Sequence, residues 1–205
     1  MNQHLSAFLG ELYASGVAHD AAQPDRLLKQ RNLEPATAAL LNLTVRAIGA
    51  RRVVEIGTAN GYSTIWLADA VGETGECVVS VDTAANAEAR INLARADARQ
   101  PGLVKRVELR REDGGAYLAL LPDHSIDLLF LDAERVEYPG WWPHPVRVLR
   151  PAGVLAIDNV LSHGDEVAPF LALLTHETAI LVGITVAVGK GLHLAWRRPV
   201  SYNTE

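Results

Sequence analysis

Three polar side chains follow two apolar runs that are each long enough to form a buried strand. Asp132 comes directly after residues 126–131, and Asp158 and Asn159 come after residues 153–157. In a doubly wound sheet, ligands bind outside the carboxyl ends of the strands. Two carboxylates and one carboxamide at that edge would supply oxygen ligands only, which suits Mg²⁺ or another hard divalent cation. The alternative is that Asp132 and Asp158 cap the loops or helices that follow them, a common use of aspartate.

A glycine turn after the earlier β-branched run, residues 52–57, is the second chemical signal. Gly57 and Gly61 remove side chains where the backbone bends and a ligand approaches, and the helix predicted from residue 62 offers unpaired N–H groups to an anion. The turn lacks the third glycine of the dinucleotide fingerprint. Glu55 would repel a pyrophosphate but suits a ligand that carries positive charge, and S-adenosylmethionine (SAM) is such a ligand.

The next predicted strand, residues 77–81, ends in Asp82, which lies 21 residues after Gly61. An acid at this place can accept hydrogen bonds from both ribose hydroxyls of a nucleoside cofactor. The glycine turn and Asp82 together therefore predict a nucleoside-cofactor site. The alternative is a structural turn in an ordinary α/β domain, followed by a solvated acid.

The elements that must position these residues alternate between strand and helix from Arg52 onward. The predicted strands are residues 52–57, 77–81, 106–110, 126–131 and 153–157, and the predicted helices are residues 62–71, 84–99, 115–121, 139–149 and 165–175. This alternation predicts βαβ units and a mostly parallel, doubly wound sheet covered on both faces. Residues 179–188 and 192–196 break the alternation and predict an antiparallel hairpin at one edge of the sheet.

The first 50 residues show apolar residues at helical spacing. Residues 5–12, Leu27–Leu28 and residues 34–48 carry these patterns, and the last helix has Pro35 in its first turn and Gly49 at its end. Such a helical segment could cover an active site or pair with a second subunit. The sequence leaves both roles open.

The whole chain is expected to form a single domain, with the helical segment at 1–50 and an α/β core at 51–198, because 205 residues suffice for one sizeable core. Hydrophobic residues make up 49% and charged residues 21%, the balance of a folded globular protein. No run of about 18 apolar residues predicts a membrane span, and residues 1–4 lack the features of a signal peptide, so we expect a cytoplasmic protein. A net charge of −5 makes nucleic acid an unexpected partner.

In order and spacing, these pieces resemble the cation-dependent, SAM-dependent O-methyltransferases, the family of catechol O-methyltransferase and caffeoyl-coenzyme A O-methyltransferase. The resemblance covers most of residues 35–197, and its matching pieces are residues 54–58, 61–64, Asp82, 132–133, Tyr138, 158–161 and 189–192. It implies a Rossmann-like class I methyltransferase fold. It also implies methyl transfer from SAM to a hydroxyl of a small, catechol-like aromatic acceptor, and a homodimer is the predicted assembly.

The same resemblance implies roles for individual residues. Asp82 would hold the ribose of SAM, Asp113 and Gly114 would lie near the adenine, and the implied cofactor contacts as a set are Glu55, Gly57, Gly61, Ser63, Asp82, Asp113, Gly114 and Asp132. The implied metal ligands, Asp132, Asp158 and Asn159, agree with the set read from the strand ends. A divalent cation that chelates two neighbouring hydroxyls lowers the pKa of one, so that an oxyanion forms beside the electrophilic methyl group.

Arg135 departs from the family pattern. Relatives usually carry a lysine three residues after the first metal aspartate, and that lysine is taken as the general base. A guanidinium keeps its proton at any working pH, so Arg135 can stabilise an oxyanion but cannot remove a proton. With Asp132 and Arg135 as the predicted catalytic residues, either the metal alone acidifies the acceptor, or another group takes the proton, or the activity differs.

Other functions compete with this prediction. A nicotinamide-dependent oxidoreductase is disfavoured by the missing third glycine, and an amine methyltransferase by Asp132–Arg135, which stand where such enzymes typically carry an Asn/Asp-Pro-Pro-Tyr run. A non-catalytic SAM-binding protein is credible because of Arg135. Trp141 and Trp142 could line an aromatic pocket or pack in the core, and His163 could be an alternative base, although a solvent-exposed loop histidine is favoured.

Overall fold

The computed structural model describes residues 1–25, 28–72, 75–177 and 180–199, and its strands form one seven-stranded sheet of order β3-β2-β1-β4-β5-β7-β6. Neighbouring strands among β1 to β5 are parallel, whereas β7 runs antiparallel to both β5 and β6. The predicted mostly parallel sheet with an antiparallel hairpin at its carboxyl-terminal edge is therefore confirmed. The strands are β1 Arg52–Ile56, β2 Cys77–Asp82, β3 Val107–Arg111, β4 Ile126–Leu131, β5 Leu149–Ile157, β6 Leu181–Val186 and β7 Leu192–Arg197.

Helices cover both faces of the sheet, because successive residues of a buried strand point to opposite sides. Val53 packs in the cluster formed with α1 to α4, and Val54 packs in the cluster formed with α5 to α7. The helices are α1 Gln3–Ala22, α2 Pro35–Ala47, α3 Tyr62–Val71, α4 Ala87–Asp97, α5 Gly114–Leu120, α6 His144–Arg147 and α7 Gly164–Thr175. Strand β4 is buried along its whole length, as expected for the centre of a doubly wound sheet.

The predicted helix at 139–149 is wrong. The chain instead forms a 3₁₀ helix, Arg135–Trp141, and the one-turn helix α6, and β5 already begins at Leu149 rather than at residue 153. Three prolines interrupt this stretch, and each lacks the N–H that a helix interior requires; they are Pro139, Pro143 and Pro145. Helix α4 is also shorter than the predicted 84–99.

The predicted amino-terminal helices form as α1 and α2, and α2 begins with Pro35. Of the pattern at Leu27–Leu28, Leu27 lies outside the described residues and Leu28 is exposed. Ala179, where the first strand of the hairpin was predicted to begin, also lies outside them. Among the helices in the described part of the chain, none is long and apolar enough to cross a membrane.

Candidate active site

A cleft of about 450 Å³ opens at the carboxyl ends of the parallel strands, where the sequence predicted a ligand site. Three of the predicted site residues, Glu55, Gly61 and Asp158, do not line this cleft and are buried behind its wall. The predicted residues that do line it are Gly57, Ser63, Asp82, Asp113, Gly114, Asp132, Arg135 and Asn159.

Gly57 brings the ends of β1 and β4 together. Its φ is +111°, and a Cβ atom at this position would lie 2.2 Å from the carbonyl oxygen of Asp132. The Asp132 amide in turn donates to the carbonyl of Ile56 at 2.9 Å. Glycine is therefore required here by the neighbouring strand as well as by an approaching ligand, and this contact sets Asp132 beside the turn.

Glu55 is fully buried and accepts hydrogen bonds from three hydroxyl groups. Ser63 Oγ and Thr64 Oγ1 each donate at 2.5 Å, and Ser80 Oγ donates at 2.6 Å. Burial raises the pKa of Glu55 to about 7, and the three hydrogen bonds limit the rise. Ser63 lines the cleft and so connects the buried Glu55 to it.

Asp82 stands at the lip of the cleft with its carboxylate fixed by backbone amides. One oxygen accepts from the N–H groups of Thr58 at 2.9 Å and Ala59 at 3.1 Å, and the other accepts from Ala84 at 2.8 Å. A carboxylate can accept about four hydrogen bonds, so it keeps capacity for a ligand. The contact of Asp82 with ribose stays a prediction.

Trp141 forms part of the cleft wall next to Gly114 and Gly115. A Cβ atom at Gly115 would lie 2.4 Å from Trp141 Cδ1, so the indole rests directly on the start of α5. Trp142 instead packs against Phe170, with ring centroids 6.3 Å apart. Of the two roles that the sequence left open, Trp141 combines both, because it lines the cleft and is a buried member of the core, whereas Trp142 is partly buried and packs against that core.

Two of the predicted metal ligands are carboxylates that interact with each other, Asp132 half-buried in the cleft lining and Asp158 buried behind it. Asp158 is 2% exposed, its Oδ1 is buried without a hydrogen-bond partner in the described part of the chain, and its Oδ2 accepts from Asn159 Nδ2 at 2.6 Å. Burial and then the charges of Asp158 and Glu55 raise the pKa of Asp132, and burial also raises the pKa of Asp158. Asp158 thus has a buried oxygen without a partner among the residues that the structure describes, and it is repelled by the charge of Asp132. A cation would remove both sources of instability.

The donor chemistry also suits a hard cation. Asp132 and Asp158 offer carboxylate oxygens and Asn159 offers an amide oxygen, all of which are ligands for Mg²⁺. Within the described ranges, no group of three or more His, Cys, Asp or Glu side chains could hold a metal ion. A cation in this cleft would therefore depend on the Asn159 amide or on water for its remaining ligands.

Arg135 is 3% exposed and held from two directions. Its Nε donates to Glu166 Oε2 at 2.8 Å, and its Nη1 lies 3.4 Å from both Asn159 Oδ1 and the Ala133 carbonyl. The guanidinium thus connects α7 to the strand end that carries Asn159. It supplies a fixed positive charge beside the predicted metal ligands.

Residues 29–33 form the outer wall of the cleft and were not predicted from the sequence. The backbone amides of Gln30 and Arg31 donate to the two oxygens of Asp20 at 2.6 and 2.8 Å. Gln30 Oε1 accepts from Asn60 at 3.0 Å, and Arg31 pairs with Glu134 across the cleft at 3.1 Å. Polar loop residues carry no periodicity, so no signal in this stretch points to the site.

Two more residues of the cleft come from the loops that follow β5 and β6. Lys190, which was expected only as part of the matching piece at residues 189–192, pairs with Glu34 at 2.9 Å. His163, for which an exposed loop position was favoured, is half-buried and lines the cleft, with its Nδ1 2.8 Å from Ser162 Oγ.

Comparison with known proteins agrees with this geometry. The family model described as O-methyltransferase matches residues 8–181. The catechol O-methyltransferase of Mycobacterium tuberculosis is 35% identical over 158 residues, which cover 77% of this chain and 68% of that protein. The crystal structure of an O-methyltransferase from Bacillus cereus in complex with SAH has a TM-score of 0.74 and 26% identity, covering 94% of this chain and 91% of that one.

The O-methyltransferase TomG from Streptomyces achromogenes, involved in tomaymycin synthesis and solved in complex with SAM, has a TM-score of 0.72 and 25% identity. The match covers 97% of this chain and 91% of that one. The family model spans most of the chain, and the mycobacterial relative exceeds 30% identity over three quarters of it. The predicted resemblance is confirmed: this chain belongs to the O-methyltransferase family and is a SAM-dependent O-methyltransferase.

Proposed function

We propose that this enzyme methylates one hydroxyl of a small, catechol-like aromatic acceptor. A divalent cation, with Mg²⁺ as the first candidate, would be held by Asp132, Asp158 and Asn159. The observation that carries this proposal is the buried carboxylate of Asp158 next to Asp132, which is half-buried and lines the cleft beside the glycine turn at residues 57–61. Asp158 Oδ1 is buried and has no hydrogen-bond partner among the described residues. A hard cation would supply the missing interaction.

The cofactor is proposed to lie along the glycine turn. Ser63, backed by Glu55, would face the methionine end of SAM, and Asp82 would accept the ribose hydroxyls. Asp113, Gly114 and the indole of Trp141 would surround the adenine. The lining of one continuous cleft by residues from the turn, from Asp82 and from the start of α5 supports this order.

A cation held by Asp132, Asp158 and Asn159 would supply Lewis-acid chemistry that lowers the pKa of an acceptor hydroxyl. The work of the chain itself is positioning. The close contact between Gly57 and Asp132 holds Asp132, and with it the proposed acceptor site, in a fixed position relative to the glycine turn, as in-line transfer requires. Arg135 removes no proton; its fixed positive charge beside Asn159 favours the oxyanion.

The metal role is tested by chelation. With SAM and a panel of catechol-like diols, product measured by mass spectrometry should disappear in excess chelator and return with added Mg²⁺. Asp158→Ala should lower the Mg²⁺-dependent rate at least about a hundredfold, because one of two carboxylate ligands is lost. Isothermal titration should give a Kd for SAM that changes by less than about threefold, because Asp158 does not line the cofactor turn.

Asp165→Ala is the matched control, since Asp165 is an exposed acid in the first turn of α7. It should leave turnover unchanged. Full turnover of the wild-type protein in excess chelator would contradict the metal role. SAM binding without methylation of any acceptor would favour a non-catalytic SAM-binding protein.

We also propose a homodimer built on the free edge of the sheet. Val182 and Ile184 point to the same side of the edge strand β6, and Trp196 of β7 pairs with Val182. All three are exposed, Ile184 to 65%. An unpaired edge strand with an apolar face is a surface that proteins normally cover. The cytoplasmic location and the absence of nucleic-acid binding stay predictions from the sequence.

A further inference from the structure

We infer that Lys190 is a further residue of the acceptor site, whose ammonium group stabilises the acceptor oxyanion where this chain lacks the lysine three residues after Asp132. The inference rests on the proposed function, because it assigns a residue to the same acceptor. Lys190 lines the same cleft as Asp132 and Asn159. It comes from the turn between β6 and β7, far from them in sequence.

The backbone around Lys190 is fixed relative to the predicted metal ligands. Its carbonyl accepts from the amides of Leu161 at 3.0 Å and Ser162 at 3.1 Å, and the Gly191 carbonyl accepts from Val160 at 3.1 Å. A Cβ atom at Gly191, where φ is +93°, would lie 2.4 Å from Leu161 Cγ. The turn is therefore joined tightly to the loop that directly follows Asp158 and Asn159.

The side chain of Lys190 is held at the edge of the acceptor site. Its Nζ lies 2.9 Å from Glu34 Oε1 at the start of α2. Burial lowers the pKa of Lys190, but the hydrogen bond and charge of Glu34, followed by the charges of Asp158 and Asp132, outweigh burial and raise it. Lys190 thus remains an ammonium close enough to both acids to interact with them.

Lys190 suits this role better than Arg135 does. The guanidinium of Arg135 already contacts Glu166, Asn159 and the Ala133 carbonyl, and it is almost completely buried. An ammonium has three N–H donors, and Glu34 uses one of them. The other two can reach an oxyanion in the cleft, since the Lys190 side chain is about half exposed.

The experiment uses 4-nitrocatechol, a diol whose absorption changes when one hydroxyl ionises, bound to the full-length protein with Mg²⁺ and SAH. Lys190→Met keeps the length of the side chain and removes its charge. It should raise the apparent pKa of the bound probe by about one unit, a tenfold change in the ionisation equilibrium. Lys190→Gln should do the same, and Lys190→Arg should restore the wild-type value.

In turnover with diol acceptors, Lys190→Met should lower kcat about tenfold while the Kd for SAH, from isothermal titration, stays unchanged and shows that the variant is folded. Lys105→Met, at an exposed lysine near the start of β3, is the control and should match the wild type. Wild-type ionisation of the probe in Lys190→Met overturns the inference and leaves the metal-assisted function standing. A wild-type protein that neither ionises the probe nor methylates a diol overturns both.

Discussion

Burial changes both the protonation of Glu55 and the way in which it can act on a ligand at the glycine turn. The residue was expected to attract a positively charged ligand, but it lies behind Ser63 and accepts three hydroxyl hydrogen bonds. Burial raises its pKa to about 7, so near neutral pH the side chain is divided between the neutral and the charged form. A sulfonium ion in the cleft would favour the charged form, because opposite charges attract strongly in a buried site.

Glu55→Gln should change how stability depends on pH. The folded pKa lies near 7 and the ordinary value is 4.5, so folding favours the protonated acid. The stabilisation is complete below pH 4.5 and is lost as the pH rises to 7. The wild type should therefore lose about 3 kcal/mol of unfolding free energy over that interval relative to the variant. Urea unfolding of both proteins between pH 5 and 8 measures the difference, and parallel curves would contradict it.

Residues that directly follow strands could be found from the sequence, whereas residues from distant loops could not. Asp82, Asp132, Asp158 and Asn159 were identified because apolar runs mark where strands end, and parallel strands end at one edge. Lys190 reaches the same edge through a hairpin whose position depends on the whole sheet.

Helix α1 positions the outer wall of the cleft although it contributes no residue to the cleft lining. Its last turn carries Asp20, whose two oxygens accept from the backbone amides of Gln30 and Arg31. An ion pair between Arg31 and Glu134 also connects this wall to the opposite side of the cleft. A cofactor in the proposed position along the glycine turn would therefore lie in the same cleft as this segment.

Asp20→Ala should loosen that wall, because two backbone amides lose their acceptors. The dissociation rate of SAH, followed by stopped-flow tryptophan fluorescence, should rise at least about fivefold, which corresponds to about 1 kcal/mol, the net value of a hydrogen bond. Glu11→Ala, at an exposed acid of the same helix, serves as the comparison and should leave the rate unchanged. Equal dissociation rates for both variants would show that the wall does not control exchange.

Prolines explain the main failure among the predicted helices and strands. Helix α3 and strand β4 agree with their predicted bounds, because the apolar pattern of each is uninterrupted and its first and last residues are clear. The helix at 139–149 failed where the pattern was apolar but Pro139, Pro143 and Pro145 removed backbone donors. The resulting 3₁₀ helix directs Trp141 onto the start of α5, so the error fell on a segment that shapes the cleft.

Across the whole molecule, the sheet has two unlike edges. Strand β3 ends the parallel side, and the antiparallel strand β6 ends the other side with an exposed apolar face. The alternation of strand and helix was enough to predict the sheet, but not which edge meets a partner, because exposure depends on the final packing. The proposed homodimer would cover the β6 edge.

Ile184→Arg should disrupt that assembly, since a charge would enter an apolar contact. Size-exclusion chromatography with light scattering should report a dimer for the wild type and a monomer for the variant. Ile91→Arg, at an exposed isoleucine of α4, is the control and should remain dimeric. A monomeric wild type, or a dimeric Ile184→Arg protein, would contradict the proposed interface.

The contact between Gly57 and Asp132 has a consequence for redesign of the enzyme. The glycine turn at Gly57 and the predicted metal ligand Asp132 share a backbone contact with no room for even one added methyl group. Mutations there would alter donor and acceptor geometry together, so this half of the cleft should tolerate little diversity. The proposed acceptor side is lined by separate loops around His163 and Lys190. Libraries intended to change acceptor preference should therefore vary those loops and keep the strand ends constant.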